Sequence, residues 1–403
     1  MSTAAAPSLS TPPPAYTPSA NAPSYSYALR DHERLLAQSP RRNPRPVGTY
    51  VKKVARDTVF LSEQDPSAPV PTYGREGNVV GFVEMQDREW LIAVVFQIEG
   101  KVTVAEANGT AKEQENVFLE HSIDLWTAQT ASAGSSPPSQ LAFGYNLPAT
   151  FMVNDTKRPL PPSYSSLQTC IVYTLSVSFT RGRARKFFPF APMNTISIRF
   201  DYRPRTRAEQ PIPPFSPGSF LQDVKVMPEE WRQHTHHITG RPKSDVAPLG
   251  LQVYVPMMGV FALDERIPFH MQLAGPAASL REFYCADPRK ERLLIEIRVV
   301  RLTFVTTSQG PTRQFRSVLA RADLVNLPPG AGDGHSVSDC ASLDWSGDLF
   351  VRSEEGSGSF DAGIVKVQDF LVVDLIPVAG PKAHFDRIRH SYPIRIATDP
   401  YEA

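Results

Sequence analysis

The residues whose types and spacing best suggest chemistry are Pro13, Pro14 and Tyr16, in a Pro-Pro-x-Tyr element near the start of the chain. Consecutive prolines favour a polyproline helix, which costs little entropy to bind because it is already extended. WW domains hold such peptides in an aromatic groove, and the tyrosine gives specificity. This element therefore predicts a WW-domain contact. The alternative is a chance match, since the chain contains 39 prolines and 13 tyrosines.

A second copy of the same pattern occurs at Pro161, Pro162, Ser163 and Tyr164. It leads directly into an apolar alternating run, so packing and strand pairing should fix it in another conformation. Only the first copy is then available to a WW domain, and two-site avidity is not expected.

A basic segment lies between two predicted strands and contains four cations within six residues, Arg181, Arg183, Arg185 and Lys186. One guanidinium group can donate two parallel hydrogen bonds to a phosphate, so this loop predicts a phosphate or anionic lipid site. A solvated connection between strands is the alternative.

A cluster of imidazoles, His234, His236 and His237, raises the possibility of a metal site. The first and third positions of His234-Thr235-His236 share one face of a strand, but no neighbouring Cys, Asp or Glu completes a four-ligand set. Gly-x-Ser-x-Gly, phosphate-binding Gly-rich and CxxC elements are absent from the sequence. The sequence therefore predicts no catalytic residue, no metal and no cofactor.

Length and composition limit the class of protein to which these residues can belong. The 403 residues suffice for two or three domains, and the net charge of +1 gives no global field toward nucleic acid. Three separated cysteines do not suggest a disulfide framework, and no signal peptide is recognised. The longest apolar runs are much shorter than the roughly 20 residues of a membrane helix. A cytoplasmic protein that binds other macromolecules is the expectation.

Period-two alternation predicts antiparallel strands throughout the ordered region. It is clearest at 170–179 and 195–202, and a second series runs from Leu251 to Ile396. Prolines at 203–219 are too dense for a central strand. We therefore predict an all-β protein with two antiparallel Ig-like β-sandwiches. The boundaries are a disordered Pro/Ser-rich tail at 1–46, a sandwich at 47–202, a linker at 203–219 and a sandwich at 220–403.

Local signals refine this prediction. The phase of the alternation flips after Val299, which predicts a β-bulge. Asp369 interrupts an otherwise apolar strand, Gly100 ends the run that begins at Leu91, and leucines within 27–38 suggest one short helix.

Several motifs, in order, resemble those of the arrestin family, and the α-arrestins of fungi in particular. They are Gly77 to Val83, Val94 to Gly100, Leu160 to Tyr164, Leu251 to Val255, Glu265 to Met271 and Ser391 to Ile396. Tyr164 replaces the more usual Phe, and Asp264-Glu265 replaces a Gly-Glu turn.

The resemblance implies a cytoplasmic, non-enzymatic adaptor that is recruited to the plasma membrane or endosomes. Its tail would engage a WW-domain HECT-type ubiquitin ligase, and its sandwiches would engage cytosolic tails of transporters or receptors, leading to ubiquitination and endocytosis. The first alternative is a trafficking-coat or pH-signalling scaffold of the same fold without ligase recruitment. A metal-dependent enzyme built around His234, His236 and His237 is the other alternative.

Overall fold

A computed structural model describes most of the chain, with the following ranges: residues 33–35, 48–86, 88, 90–105, 113–129, 137–166, 168–182, 193–216, 218, 220–285, 291, 294–306, 311–327, 342–352 and 357–402. The described residues are almost entirely β, with only two short α-helices. The prediction of an all-β sandwich fold is therefore confirmed.

The first sandwich packs a four-stranded antiparallel sheet on a larger mixed sheet. The smaller sheet has the order β2 (Gly48–Val54), β3 (Asp57–Gln64), β5 (Asn78–Met85), β8 (Gln140–Asn146). The larger has the order β4 (Thr72–Tyr73), β13 (Met193–Tyr202), β12 (Thr169–Arg181), β6 (Leu91–Ala105), β7 (Glu113–Thr127), and β11 (Tyr164–Ser165) also pairs with β12. A hairpin of β9 (Thr150–Val153) and β10 (Thr156–Pro159) lies between β8 and β11 in the chain.

The second sandwich has the same two-layer form. One sheet has the order β15 (Trp231–Ile238), β16 (Leu249–Pro256), β18 (Arg266–Ala274), β22 (Ser342–Phe350), β21 (Asp323–Leu327). The other has the order β17 (Val260–Ala262), β25 (Ile388–Ala397), β24 (Val365–Leu375), β19 (Ile295–Val305), β20 (Arg313–Arg321), and β23 (Phe360–Asp361) also pairs with β24. The helices are α1 (Phe220–Val226) and α2 (Ala277–Leu280), with 3-10 turns at Pro228–Glu230 and Gly380–Lys382.

The alternation seen in the sequence corresponds to the inward faces of these sheets. In β12 every second residue from Ile171 to Phe179 is fully buried, while the residues between them are partly exposed. Burial of one such apolar side chain contributes roughly 1.5–3 kcal/mol, so this face fixes the register of the strand.

A bulge occurs at the predicted place, between Val299 and Val300, but the extra residue is Leu319 of the neighbouring strand β20. β19 itself pairs with β24 without a shift, so its alternation does not change phase as predicted. Asp369 does not interrupt its strand. It is fully buried within the continuous β24, where Arg301 forms an ion pair with its carboxylate.

Gly100 does not end its strand either, since β6 continues to Ala105. A Cβ at this position would lie 2.8 Å from the Phe118 ring and 3.0 Å from that of Tyr173. The glycine therefore reflects a close approach of two aromatic rings rather than a turn.

Two short pieces of the chain outside the sandwiches pair with each other. Glu33–Leu35, which form β1, pair with β14 (Thr206–Ala208). These three residues fall in the segment predicted as a disordered tail and in the stretch suggested as a helix, and both expectations are wrong for them. The proposed linker boundaries at 203 and 219 remain a prediction.

Candidate functional site

The predicted tail motif and most of the predicted basic loop lie outside the described residues. This applies to Pro13, Pro14 and Tyr16, and to Arg183, Arg185 and Lys186. Among these predicted site residues the structure describes only Arg181.

Arg181 is held by a buried carboxylate. Its guanidinium donates hydrogen bonds to both oxygens of Asp57, at 2.7 and 2.8 Å. The Asp57 side chain is almost fully buried, so the pair ties the end of β12 to the start of β3. Arg181 is thus engaged by a carboxylate within the fold, and phosphate binding by the loop remains a prediction.

Because Arg181 is paired with Asp57, we expect its replacement to affect stability, whereas replacement of the other basic residues of the loop should affect lipid binding. Arg181→Ala should lower the free energy of unfolding by about 2–3 kcal/mol, because it leaves the Asp57 carboxylate buried without its partner. Replacing Arg183, Arg185 and Lys186 together with Ala should leave stability unchanged and weaken binding to anionic liposomes. Urea titration and liposome sedimentation separate the two effects, and unchanged sedimentation of the triple variant would identify a solvated loop.

The second Pro-Pro-x-Tyr copy is fixed by the fold, as expected. Pro161 and Pro162 are buried, and Tyr164 pairs with Ile171 in the sheet. The Tyr164 hydroxyl lies 3.1 Å from Oγ1 of Thr303, and its ring packs edge-on against Phe360. Because Thr303 and Phe360 belong to the second sandwich, this tyrosine contributes to the contact between the two sandwiches.

That contact is extensive and partly apolar. Val305, Val365 and Val367 belong to strands of the second sandwich but pack in the core of the first. Arg158 of β10 forms an ion pair with the buried Asp361, and Arg313 donates a 2.9 Å hydrogen bond to the Ala105 carbonyl. The strands β19 and β24 therefore serve both cores.

The histidines predicted as a metal alternative are arranged differently from a ligand set. His234 and His236 face inward on β15, whereas His237 is exposed on its other face. The ring of His236 stacks on His390 with centroids 3.6 Å apart. Within the described part of the chain, no group of three or more His, Cys, Asp or Glu side chains is arranged to hold a metal ion.

A Ser, His and Asp constellation occurs on the outer face of the same sheet. Nδ1 of His270 lies 2.7 Å from the Ser346 hydroxyl, and Nε2 lies 3.3 Å from the Asp344 carboxylate. Phe220 of α1 stacks on the imidazole at 4.4 Å, and both His270 and Ser346 are fully buried. In this conformation the serine is inaccessible, and the network links β18 to β22.

A second charged surface is the arginine face, which we define as Arg298, Arg316, Arg321, Arg387 and Arg389. Strand register places these residues together on the outer face of one sheet, because Arg298 lies opposite Arg321 and Arg389 lies opposite Asp374. Leu302, two residues beyond Val300 on that face, lies opposite Arg316.

Two carboxylates organise the arginine face. Asp374 is buried and accepts hydrogen bonds from Arg298 at 2.7 Å and from Arg387, with Arg389 at 3.4 Å. Glu296 pairs with Arg298 and Arg321. Burial alone would raise the pKa of Asp374, but the hydrogen bond from Arg387 and the surrounding positive charges outweigh burial and lower it.

The balance of charge on this face is positive, since five guanidinium groups surround two carboxylates. Arg316 has no ion pair with any carboxylate among the residues that the structure describes. Burial, followed by repulsion from Arg389, Arg298 and Arg387, lowers the pKa of Arg316. Nε of Arg298 is buried without a hydrogen-bond partner. The face therefore carries three excess positive charges, in a setting that favours an anion.

The arginine face borders a free strand edge. β20 is the outermost strand of its sheet, and no other strand of the described residues pairs with its outer edge. Val318 on this strand is exposed, and the apolar cluster of Val300, Leu302, Phe370 and Val372 lies beside the arginines. An extended peptide added along β20 would meet arginine and apolar side chains at alternate positions on this face.

Sequence reasoning did not identify the arginine face. Its members are separated by up to 91 positions, between Arg298 and Arg389, and only register brings them together. The one local signal is the spacing of Arg387, just before β25, and Arg389, within it.

Comparison with known proteins gives no family for the chain: no protein-family model matches it, and no curated protein matches it significantly. In the described residues neither short helix has the length and apolar character that a membrane span requires.

Proposed function

We propose that this chain is a non-enzymatic adaptor of the α-arrestin type. In this proposal Pro13, Pro14 and Tyr16 bind a WW-domain HECT-type ubiquitin ligase. The sandwiches bind cytosolic tails of membrane transporters or receptors, and the complex assembles at the plasma membrane or endosomes. Ubiquitination and endocytosis of the bound membrane protein would follow.

The observation that supports this proposal most is the arginine face beside the free edge of β20. A strand edge offers unpaired backbone groups to an extended peptide, and the excess positive charge selects an acidic one. Extended acidic segments are a form that cytosolic tails of membrane proteins can readily adopt. The arginine face thus supplies a recognition surface of suitable shape and charge.

The proposal predicts that charge reversal on this face weakens binding of an acidic peptide. A labelled Glu-rich peptide of about ten residues, the length of a long strand, is a suitable probe. Arg316→Glu combined with Arg389→Glu should weaken its binding by at least about tenfold, because attraction at two positions becomes repulsion. Binding to the parent protein should also fall as salt rises, since exposed charges are screened.

The matched control is Arg266→Glu combined with Arg203→Glu, which reverses two exposed arginines away from the arginine face. Fluorescence anisotropy should show that this variant binds the peptide with the same affinity as the parent protein. Equal weakening by the control and by the arginine-face variant would show that net charge, rather than the arginine face, drives binding. A peptide with Gln in place of Glu should bind weakly to all three proteins.

A further inference from the structure

The two sheets of the second sandwich meet along one side at a group of aromatic and imidazole rings. We define the histidine seam as His234 and His236 of β15 together with His390 and Tyr392 of β25. β15 is the outermost strand of its sheet, and β25 belongs to the opposite sheet. The rings of the seam therefore connect two layers that share no backbone hydrogen bonds at this point.

The contacts in the seam are close and specific. His236 stacks on His390 with centroids 3.6 Å apart and planes 17° apart. His234 stacks on Tyr392 at 4.2 Å, and Nε2 of His236 lies 2.9 Å from the Tyr392 hydroxyl. Face-to-face stacking of this kind suits neutral imidazoles, whereas two imidazolium rings at such a distance repel each other.

Among the residues that the structure describes, the groups that shift the pKa values of the seam histidines do not include a carboxylate. Directly across β16 and β24, the same-face partners of the seam residues are apolar: Val253, Leu251, Val373 and Leu371. Arg232, which lies on β15 itself, repels positive charge on His234. Tyr392 is itself harder to ionise, because burial raises its pKa.

These surroundings keep the imidazoles neutral. Burial, with repulsion from Arg232 and His236, lowers the pKa of His234 to about 4. Burial and then His236 lower that of His390 to about 4, and burial lowers that of His236 as well.

We propose that the histidine seam is an acid-sensitive latch, which holds β15 against β25 when its imidazoles are neutral and releases β15 when they are protonated. Released imidazoles regain water and separate from one another, so the open form binds protons that the closed form does not. This is a regulatory device in the fold, and it does not depend on the proposed adaptor function.

The direction of the effect follows from linkage. The pKa values in the closed form are below the ordinary value of 6.5, so the stability of the seam is present above that value. It is lost progressively as the pH falls toward about 4. At acidic pH the open form therefore gains population.

Opening would expose a new strand edge. β17 pairs with only the last residues of β25, Arg395 to Ala397, and in the described part of the chain no strand pairs with the outer edge of residues 388–392. Release of β15 would make these backbone groups available to another extended segment. Acidification would thus convert a closed side of the sandwich into a pairing surface.

Hydrogen exchange measured by mass spectrometry on the full chain tests the latch. After correction for intrinsic rates, amides of β15 and of residues 388–392 should open at least about tenfold more at pH 5 than at pH 7. Amides of β12 in the first sandwich should not change. In His390→Phe, which keeps an aromatic ring but cannot be protonated, the response of β15 should shrink. In His237→Gln, which changes the exposed histidine of the same strand, it should persist.

Exchange in β15 that is equal at the two pH values would overturn the proposal, as would equal loss of response in both variants. If His390→Phe does not fold, exchange at the imidazole C2 position of the unmodified protein decides the question. Midpoints well below 6.5 for His234 and His390 support the latch. Ordinary midpoints contradict it.

Discussion

Tyr16→Ala should abolish capture of the chain by WW domains while leaving both sandwiches intact. A single motif should bind with a dissociation constant near roughly 10 μM, about −7 kcal/mol, and loss of the tyrosine removes the specificity contact. The fold cannot supply a replacement, because Pro161 and Pro162 are buried and Tyr164 is paired in the sheet. Titration of the full chain with an isolated WW domain measures the effect.

The matched control for this experiment is Tyr164→Phe, which alters the tyrosine of the folded copy but keeps its ring against Phe360. It should bind the WW domain as the parent does and lose only the hydrogen bond with Thr303, a change of about 1 kcal/mol in stability. If Tyr16→Ala retained full affinity, the tail would not be the ligase contact. A trafficking-coat or pH-signalling scaffold without ligase recruitment would then be the better proposal.

The largest loss of stability is expected for Asp369→Ala. Arg301 donates hydrogen bonds of 2.8 and 3.1 Å to the Asp369 carboxylate, and both side chains are buried. Removing the carboxylate takes away the Asp369 counter-charge of a buried guanidinium, which still donates to the Ser357 carbonyl. The expected cost is about 3–5 kcal/mol, measured by urea unfolding at neutral pH.

An exposed pair provides the comparison. Arg203→Ala removes a partner of Asp201 at the surface, where such pairs contribute between about 0 and 1 kcal/mol. The double replacement of Arg301 and Asp369 by Met and Leu should recover much of the loss, because neither charge then remains buried. A loss from Asp369→Ala as small as that from Arg203→Ala would show that water reaches Arg301.

Much of the fold follows from local pattern. Alternation identified the inward face of β12 because side chains in a strand point to opposite faces, and the phase flip at Val299 located a bulge whose extra residue lies in β20. The expected strand end at Gly100 and the expected interruption at Asp369 were wrong, because the roles of both residues depend on partners far away in the sequence. The glycine makes room for the rings of Phe118 and Tyr173, and the aspartate neutralises Arg301.

The candidate sites were less accessible to sequence reasoning. The pattern placed His234 and His236 on one face, but their partners His390 and Tyr392 lie more than 150 positions away. Arg181 looked like part of a basic loop, yet Asp57 engages it from the opposite sheet. A basic segment in the sequence does not indicate which of its arginines will form an ion pair with a buried carboxylate.

The valines that β19 and β24 contribute to the first core bear on how the chain behaves as a whole. Val305, Val365 and Val367 are fully or almost fully buried, and they pack in a cluster made mostly of residues of the other sandwich. Cutting the chain between the sandwiches would leave each half with an apolar surface in water. Folding is therefore a property of the two halves together, and a mutation in either one weakens both.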